Sequence, residues 1–448
     1  MARRRYWPEQ FLYYDGEGIA RHLEKMAARG WRLEKIGALT WRYGRAEPAR
    51  VHYAVTYFPE ASEYNPYPTD SQEEFYDYCR EAGWDLVTEW DQMQIFSTER
   101  AHPIPIETDE SARVRVIHKV MLRRFLPANL LLFVLLVIQL GIFITGILQD
   151  PAANLSNPAV LLITLALALT GLSVFLTLSG YLVWYLRARK TAETGERLAD
   201  TERRFRALTV AVAALGLLAV LFAVLSIART LASPWYVLLL TGEIVVFIAL
   251  VAGVREYMRR RGVERKQNRN ITLAVAVLLS LLMVNVIPKA VIGDQPAEPH
   301  IVDGTVLPLR LEELGIPEEE GLVSTWESRS SPLVVFRTGE QSGPYDSGLP
   351  WLRYEVSDVR LPMLLDLCLD GYLDQYDNRY GAITGLHFRP LNEPAWGADE
   401  VWQVWDGEGP RASYLACRGS RIVWLMADDF LTPEQTEVVS AKLFSGTI

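Results

Sequence analysis

Five apolar runs constrain this chain more than any other feature. They cover residues 126–148, 159–186, 207–227, 235–254 and 271–287. At 1.5 Å of rise per residue, about 20 apolar residues of helix cross a hydrocarbon core. No run contains Lys, Arg, Asp or His, and the one acid is Glu243. Five such runs in so short a stretch argue for a membrane domain rather than the helical core of a large soluble protein.

Charge then orients the chain. Residues 1–110 hold 13 basic and 20 acidic groups (net −7), residues 111–289 hold 21 and 8 (net +13), and residues 290–448 hold 11 and 26 (net −15). Lys and Arg collect in alternate loops, which the positive-inside rule reads as cytoplasmic. Arg123 and Arg124 precede the first run, and loop 149–158 has no Lys or Arg. The next loop carries Arg187, Arg189, Lys190, Arg197, Arg203, Arg204 and Arg206; the third carries only Arg229. The fourth carries Arg255, Arg259, Arg260, Arg261, Arg265, Lys266 and Arg269. The expectation is a multi-pass protein of the bacterial cell membrane, with its N-terminus and basic loops cytoplasmic and its C-terminal domain outside. Reporter fusions at Ser156 and Asp346 are expected to read external. Arg3, Arg4 and Arg5 are followed by no apolar stretch, so no cleavable signal peptide is expected and the first span acts as the insertion signal.

Three domains follow: a cytoplasmic α+β domain over 1–110, five transmembrane helices over 111–292, and an acidic extracytoplasmic α+β domain over 293–448. The first contains a duplication. Lys25-Met26-Ala27-Ala28-Arg29-Gly30-Trp31-Arg32-Leu33 returns as Tyr78-Cys79-Arg80-Glu81-Ala82-Gly83-Trp84-Asp85-Leu86, 53 positions later. Each copy begins as an amphipathic helix: Ile19, Leu23, Met26 and Ala27 share one face of the first, and Phe75, Tyr78, Cys79 and Ala82 share one face of the second. Each helix ends at a Gly suited to the left-handed C-terminal position. A Trp then starts a strand, and another strand follows. Val51, Tyr53, Val55 and Tyr57 alternate as a strand between the copies. The order β-α-β-β-β-α-β-β predicts an antiparallel sheet with two helices, resembling the ferredoxin-like arrangement. The paired Trp residues read as packing where helix turns onto sheet. Loop 59–69, with Tyr64 and Tyr67, is the best candidate for a partner-binding edge, although a solvated loop is the plainer reading.

The helix–Gly-Trp–strand–strand pattern, repeated over residues 6–100 and followed by membrane spans, resembles a bacterial family catalogued as domain of unknown function 2812. Its members are typically Gram-positive membrane proteins, often encoded beside PadR-like transcriptional regulators. The resemblance implies a regulatory or sensing context. It carries over no catalytic or binding residues.

In the C-terminal domain, residues 361–372 read as a helix. Strands are expected over 401–405, 413–418 and 421–426, joined by Asp406-Gly407-Glu408-Gly409 and Gly419-Ser420 turns. Thr432, Pro433 and Gln435 combine an N-cap, a first-turn proline and a capping-box glutamine for a last helix ending near Leu443.

Little in the chain reads as catalytic chemistry. The six histidines (His22, His52, His102, His118, His300, His387) are scattered and none lies in a span, which excludes an intramembrane Ser–His protease. No metal-ligand spacing, cofactor motif or phosphate-binding loop is present. Gly16-Glu17-Gly18 reads as a helix cap. Cys368 and Cys417 are a candidate disulfide; one is expected on a helix and one on a strand, and two buried free thiols are the favoured reading. Cys79 reads as inert core. Asp366, Asp370, Asp374 and Asp377 recur at helical spacing, but Gly371 is placed to end that helix, and a solvated face is favoured over a calcium column. Glu243 is the candidate intramembrane functional residue, with Gln139, Asn285 and Arg229 as neighbours by depth.

The leading expectation is a non-enzymatic transmembrane sensor or regulator. Its expected partners are the bilayer, a cytosolic protein for residues 1–110, and an external ligand or envelope component. The acidic N-terminal domain argues against nucleic acid. A transport accessory or permease component is the alternative, disfavoured because the runs hold few polar groups. An enzyme using Asp399 and Glu400 beside Trp396 ranks third.

Overall fold

The computed structural model describes the chain except residues 1–3, 10, 38–39, 195–201, 231–234, 286–300, 318, 345–346, 376–383 and 445–448. At 124, 194, 202–206, 226–230, 235–241, 243–245, 281 and 283–285 only the backbone is described. The chain forms two compact units. The first gathers Met1–Val137, Leu169–Gly216 and Ser233–Val291; the second gathers Ile138–Ala168, Leu217–Ala232 and Ile292–Ile448.

The first unit opens with β1 (Arg4–Trp7), α1 (Gly16–Ala28), β2 (Trp31–Lys35), β3 (Trp41–Arg45), β4 (His52–Tyr57), α2 (Asp70–Glu81), β5 (Asp85–Trp90) and β6 (Met93–Thr98). That is the expected element order, but the strands do not join one ferredoxin-like sheet. They form two three-stranded antiparallel sheets, ordered β1-β3-β2 and β4-β6-β5. Each copy is a β-α-β-β unit whose first strand pairs with its third. The strand around Val55 is therefore the first strand of the second copy, not a spacer. The duplication extends to irregularities: the β2–β3 register shifts between Leu33 and Lys35, and the β5–β6 register shifts between Leu86 and Thr88, positions 53 apart.

The copies share one apolar core. Ile19, Leu23 and Met26 of α1 join Trp31, Leu33 and Tyr43 of one sheet and Tyr53, Val55, Met93 and Ile95 of the other. Asp15 caps α1 by accepting the Gly18 amide at 2.8 Å, so the Gly16–Gly18 run is a cap as expected. On α2, Phe75, Cys79 and Ala82 pack on the expected face against Trp84 and Phe96, with Tyr76 beside them, whereas Tyr78 is exposed. The buried Gln72 amide reaches Glu89 at 3.1 Å and also the Tyr76 hydroxyl.

α3 (Glu110–Val120) follows, capped by Asp109, and a π-helical turn (Met121–Phe125) leads into α4 (Leu126–Gln149). Val114, Ile117, Val120 and Met121 are buried in the same core. Next come α5 (Pro151–Leu155), α6 (Pro158–Thr194), α7 (Glu202–Thr230), α8 (Trp235–Arg260) and α9 (Arg265–Asn285). Among the described residues three helices are long and apolar enough to cross a membrane: Leu126–Gln149, Pro158–Glu193 and Ala207–Leu225. The fourth and fifth expected spans fall in α8 and α9.

The second unit is built on a seven-stranded antiparallel sheet. Its strands are β7 (Val323–Ser330), β8 (Val334–Ser342), β9 (Leu352–Val359), β10 (His387–Pro390), β11 (Glu400–Trp405), β12 (Pro410–Arg418) and β13 (Arg421–Ala427), in the order β10-β11-β12-β13-β9-β8-β7. Both faces are covered, which is why β13 reads as a nearly continuous apolar run. One face packs Tyr354, Val423 and Leu425 under Trp396 and under Val439 and Leu443 of α11 (Pro433–Phe444). The other packs Phe336, Ile422 and Trp424 under Cys368 and Tyr372 of α10 (Leu365–Asp374) and under Ala152 and Leu155 of α5. The capping box of α11 forms as read: the Thr432 amide donates to Gln435 Oε1 at 2.9 Å and the Gln435 amide to Thr432 Oγ at 3.3 Å.

Candidate functional site

Both units contain a place where a folded domain takes into its core chain from, or next to, a helix long and apolar enough to cross a membrane. In the first unit that chain is the C-terminal part of α6. Tyr181, Trp184 and Ala188 are buried in the core of the duplicated domain. The Tyr14 ring lies 5.4 Å from Tyr181 and 5.1 Å from Trp184. His118 of α3 stacks on Tyr185, with centroids 3.9 Å apart and planes 11° from parallel. Its Nδ1 hydrogen-bonds the Tyr181 hydroxyl at 2.6 Å. Partial burial lowers the His118 pKa below its ordinary value, which favours the neutral imidazole. Aromatic stacking adds about 0.5–1.5 kcal/mol per pair beyond buried area, so the cluster is a firm clasp. The π-helical turn directly after α3 re-aims the chain into α4; such turns recur at functional sites.

Loop 59–69 makes the second contact. Glu63 pairs with Arg255 Nη1 at 2.6 Å, and Arg265 Nη1 donates to the Glu60 carbonyl at 3.1 Å. Asn268 is fully buried; its Nδ2 donates to the Tyr64 carbonyl at 3.2 Å and to the Arg255 carbonyl at 3.3 Å. Thr272 Oγ donates to Asn268 Oδ1 at 3.2 Å. The candidate partner-binding loop therefore has a partner within the chain, the basic connection between α8 and α9. Tyr67 stays 70% exposed beside it.

The Gly-Trp corners are architecture in both copies. Gly30 and Gly83 have φ of 79° and 89°. Trp31 and Trp84 are buried, and the Trp84 indole donates to the Ile104 carbonyl at 2.8 Å. Each corner also carries an arginine that the motif comparison missed. Arg45 donates to the Arg29 carbonyl at 3.2 Å, and Arg100 donates to the Ala82 carbonyl at 2.9 Å. These carbonyls end the two helices, where a cation is favoured.

In the second unit, α5 lies on the sheet. Asp150 caps it, and Ser331 Oγ donates to the Leu155 carbonyl at 2.6 Å. The helix α10 continues through Gly371 rather than ending there, because the missing side chain lets it close on the Pro151 ring. Beside this contact lies a buried polar group. Tyr372 is hydrogen-bonded to Ser357 at 3.0 Å and donates to Glu355 at 3.4 Å, and Arg353 donates to Glu355 at 3.2 Å. Burial raises the Glu355 pKa. Elsewhere in this unit a cavity of about 550 Å³ is lined by Trp351, Met426 and Phe430 together with Asp406, Asp428 and Asp429.

Other sequence candidates are dispersed. Cys368 and Cys417 are buried in one apolar layer and unbridged; burial pushes both thiols up to about 11. Cys79 is buried core. Glu243 lies on α8, and its side chain, like those of Arg229 and Asn285, falls outside the described residues, as does Asp377 of the aspartate series. Asp399 accepts the Gly419 amide at 2.7 Å, and Trp396 is buried with its carbonyl accepting from Ser440. Among the described residues no group of three or more His, Cys, Asp or Glu side chains is placed to hold a metal.

No curated protein and no solved structure matches the chain. One family model does, described as a protein of unknown function (DUF2812), over residues 15–130. That match runs past the two sheets to include α3 and the π-helical turn, the elements that complete the core. Residues 15–130, at the N-terminal end of this chain, thus match the DUF2812 model, consistent with an uncharacterised domain of unknown function.

Proposed function

We propose that the protein is a non-enzymatic transmembrane regulator that couples an external domain to a cytoplasmic one. In this reading α8 and α9 complete a set of five spans. The duplicated domain and both basic loops face the cytoplasm, and the seven-stranded domain lies outside. One observation carries the reading: each folded domain builds chain from beside a membrane helix into its core, Tyr181 and Trp184 on one side, Ala152 and Leu155 on the other. Helices α4 and α6 each contribute residues to both units, so a displacement of either domain is passed to the same helices. The cavity beside Trp351 and Phe430 is the place for an external ligand, and exposed Tyr67 marks the face for a cytosolic protein.

Hydrogen exchange on the full chain in lipid nanodiscs tests the coupling. Gly371→Val, or the milder Ser331→Ala, loosens α5 from the external domain. The proposal expects faster exchange in α3 and in residues 181–188 as well. Exchange that changes only within the seven-stranded domain contradicts it.

A further inference from the structure

Helix α2 covers the face of the β4-β6-β5 sheet turned away from α1. Antiparallel pairing sets Thr56 opposite Gln94 and Gln94 opposite Glu89, so the three form one row across that face. Gln72 and Tyr76 of α2 meet the row at Glu89, at 3.1 and 2.7 Å. Gln94 and Thr56 are buried in it, and Gln94 is wholly inaccessible. Among the described residues neither polar atom of the Gln94 amide nor the Thr56 hydroxyl has a hydrogen-bond partner.

The first copy is apolar at the matching positions. At the offset of 53, Ile19 stands where α2 has Gln72, Leu23 where it has Tyr76, and Trp41 where β6 has Gln94. All three are buried in the main core, where α1 meets both sheets. Helix α2 meets one sheet, and its other side exposes Glu73, Glu74, Asp77, Tyr78 and Arg80. The Asp15 side chain caps α1, whereas Thr69 makes no side-chain cap bond to α2. A buried group without a partner is costly only while the helix is down, because water satisfies it once the helix lifts. Each such group weakens docking by about tenfold.

We infer that α2 is a hinged lid, released from its sheet by a local opening that leaves both sheets folded. The apolar residues at its contact, Cys79, Trp84 and Phe96, form a cluster separate from the main core. Lifting α2 therefore leaves that core closed, as a local unit of low stability does. Both hinges stay tied. Loop 59–69 is held by Asn268 and Arg255, and the Ala82 carbonyl by Arg100. Opening uncovers Trp84 and Phe96 with the Gln94 amide and the Thr56 hydroxyl, a surface that offers apolar and hydrogen-bonding contacts together. The inference does not depend on the regulatory reading, because opening is measured directly.

The test is hydrogen exchange on the full chain in phosphatidylcholine–phosphatidylglycerol nanodiscs, read by peptide and corrected for intrinsic rates. Residues 70–81 should exchange at least about a hundredfold faster than residues 16–28 and 93–98, as two unpartnered groups already predict. Gln94→Met removes both unpartnered amide atoms at similar volume and should slow exchange over 70–81 by about tenfold or more. Thr56→Val removes the hydroxyl with little change of shape and should slow it by about tenfold, so the test stands if one variant fails to fold. Neither variant should change residues 16–28. Exchange over 70–81 no faster than over 16–28, residues 93–98 exchanging as fast as 70–81, or rates over 70–81 not slowed in the folded variants overturns the inference and makes α2 a fixed part of the domain.

Discussion

Gly371 and Pro151 pack together with no side chain between them: a Cβ at position 371 would collide with the Pro151 ring. The contact joins the middle of α10 to the first residue of α5, a five-residue helix between two helices long and apolar enough to cross a membrane. It makes a short connection part of a domain core and rules out any larger residue at 371.

Gly371→Ala in the full chain is therefore expected to destabilise the second unit by about 1–3 kcal/mol, the usual effect of overpacking. Ser331→Ala, which removes the bond to the Leu155 carbonyl, should lose about 1 kcal/mol. Thermal melts of the solubilised protein check both. A Gly371→Ala protein that melts like wild type would show that α5 does not dock.

The clasp in the first unit should respond to acid. The folded-state pKa of His118 is lowered, so the clasped state holds fewer protons than the released state. Clasping is then complete above the ordinary histidine pKa, about 6.5, and weakens as pH falls below it. Hydrogen exchange in α3 should quicken below that pH in wild type and lose this component in His118→Phe. Identical pH profiles in the two proteins would remove His118 from the mechanism.

The two Gly-Trp corners should behave alike. Gly30→Ala and Gly83→Ala each force a side chain into the left-handed region, at about 1–2 kcal/mol. Steric contact adds to this, since the new Cβ at position 30 falls 2.7 Å from the Ala46 carbonyl and the one at position 83 strikes the Arg100 guanidinium. Both variants should melt lower by comparable amounts. A loss at one corner alone would mean that the repeat is not energetically duplicated.

Asn268 is the hub between loop 59–69 and the α8–α9 connection. Asn268→Leu leaves the Tyr64 and Arg255 carbonyls without this donor, at about 1–3 kcal/mol. Limited proteolysis should then cut loop 59–69 faster, with the two sheets intact. Unchanged cleavage would indicate that Arg255 and Arg265 hold the loop unaided.

Local order was legible in the residues, and long-range docking was not. Gly30 and Gly83, at a fixed offset and each before Trp, marked both helix ends and the order of eight elements. Thr432 and Gln435 marked a helix start that forms as read. These signals work because caps and turns are decided within a few residues. The split into two sheets was hidden, because pairing of β1 with β3 or β4 with β6 leaves no trace in alternation. Strands β7 to β10 were missed: Val323–Ser330 is largely polar, as suits an edge strand. Tyr181, Trp184 and Tyr185 lie within the second apolar run, and only the fold brings Tyr14 and His118 to them. The signal for α5 was present, since Asp150 before Pro151 is a helix start, but its burial depends on β8 and α10, over 170 residues away.

The central claim, a duplicated domain inside and a seven-stranded domain outside, is tested most directly by labelling with a membrane-impermeant maleimide in intact cells. Native Cys79, Cys368 and Cys417 are buried, so the background is low. Met363→Cys and Tyr67→Cys place thiols at positions 83% and 70% exposed. The account predicts that Met363→Cys labels in intact cells and that Tyr67→Cys labels only after permeabilisation. A Met363→Cys protein that stays unlabelled until permeabilised, or a Tyr67→Cys protein labelled in intact cells, contradicts it.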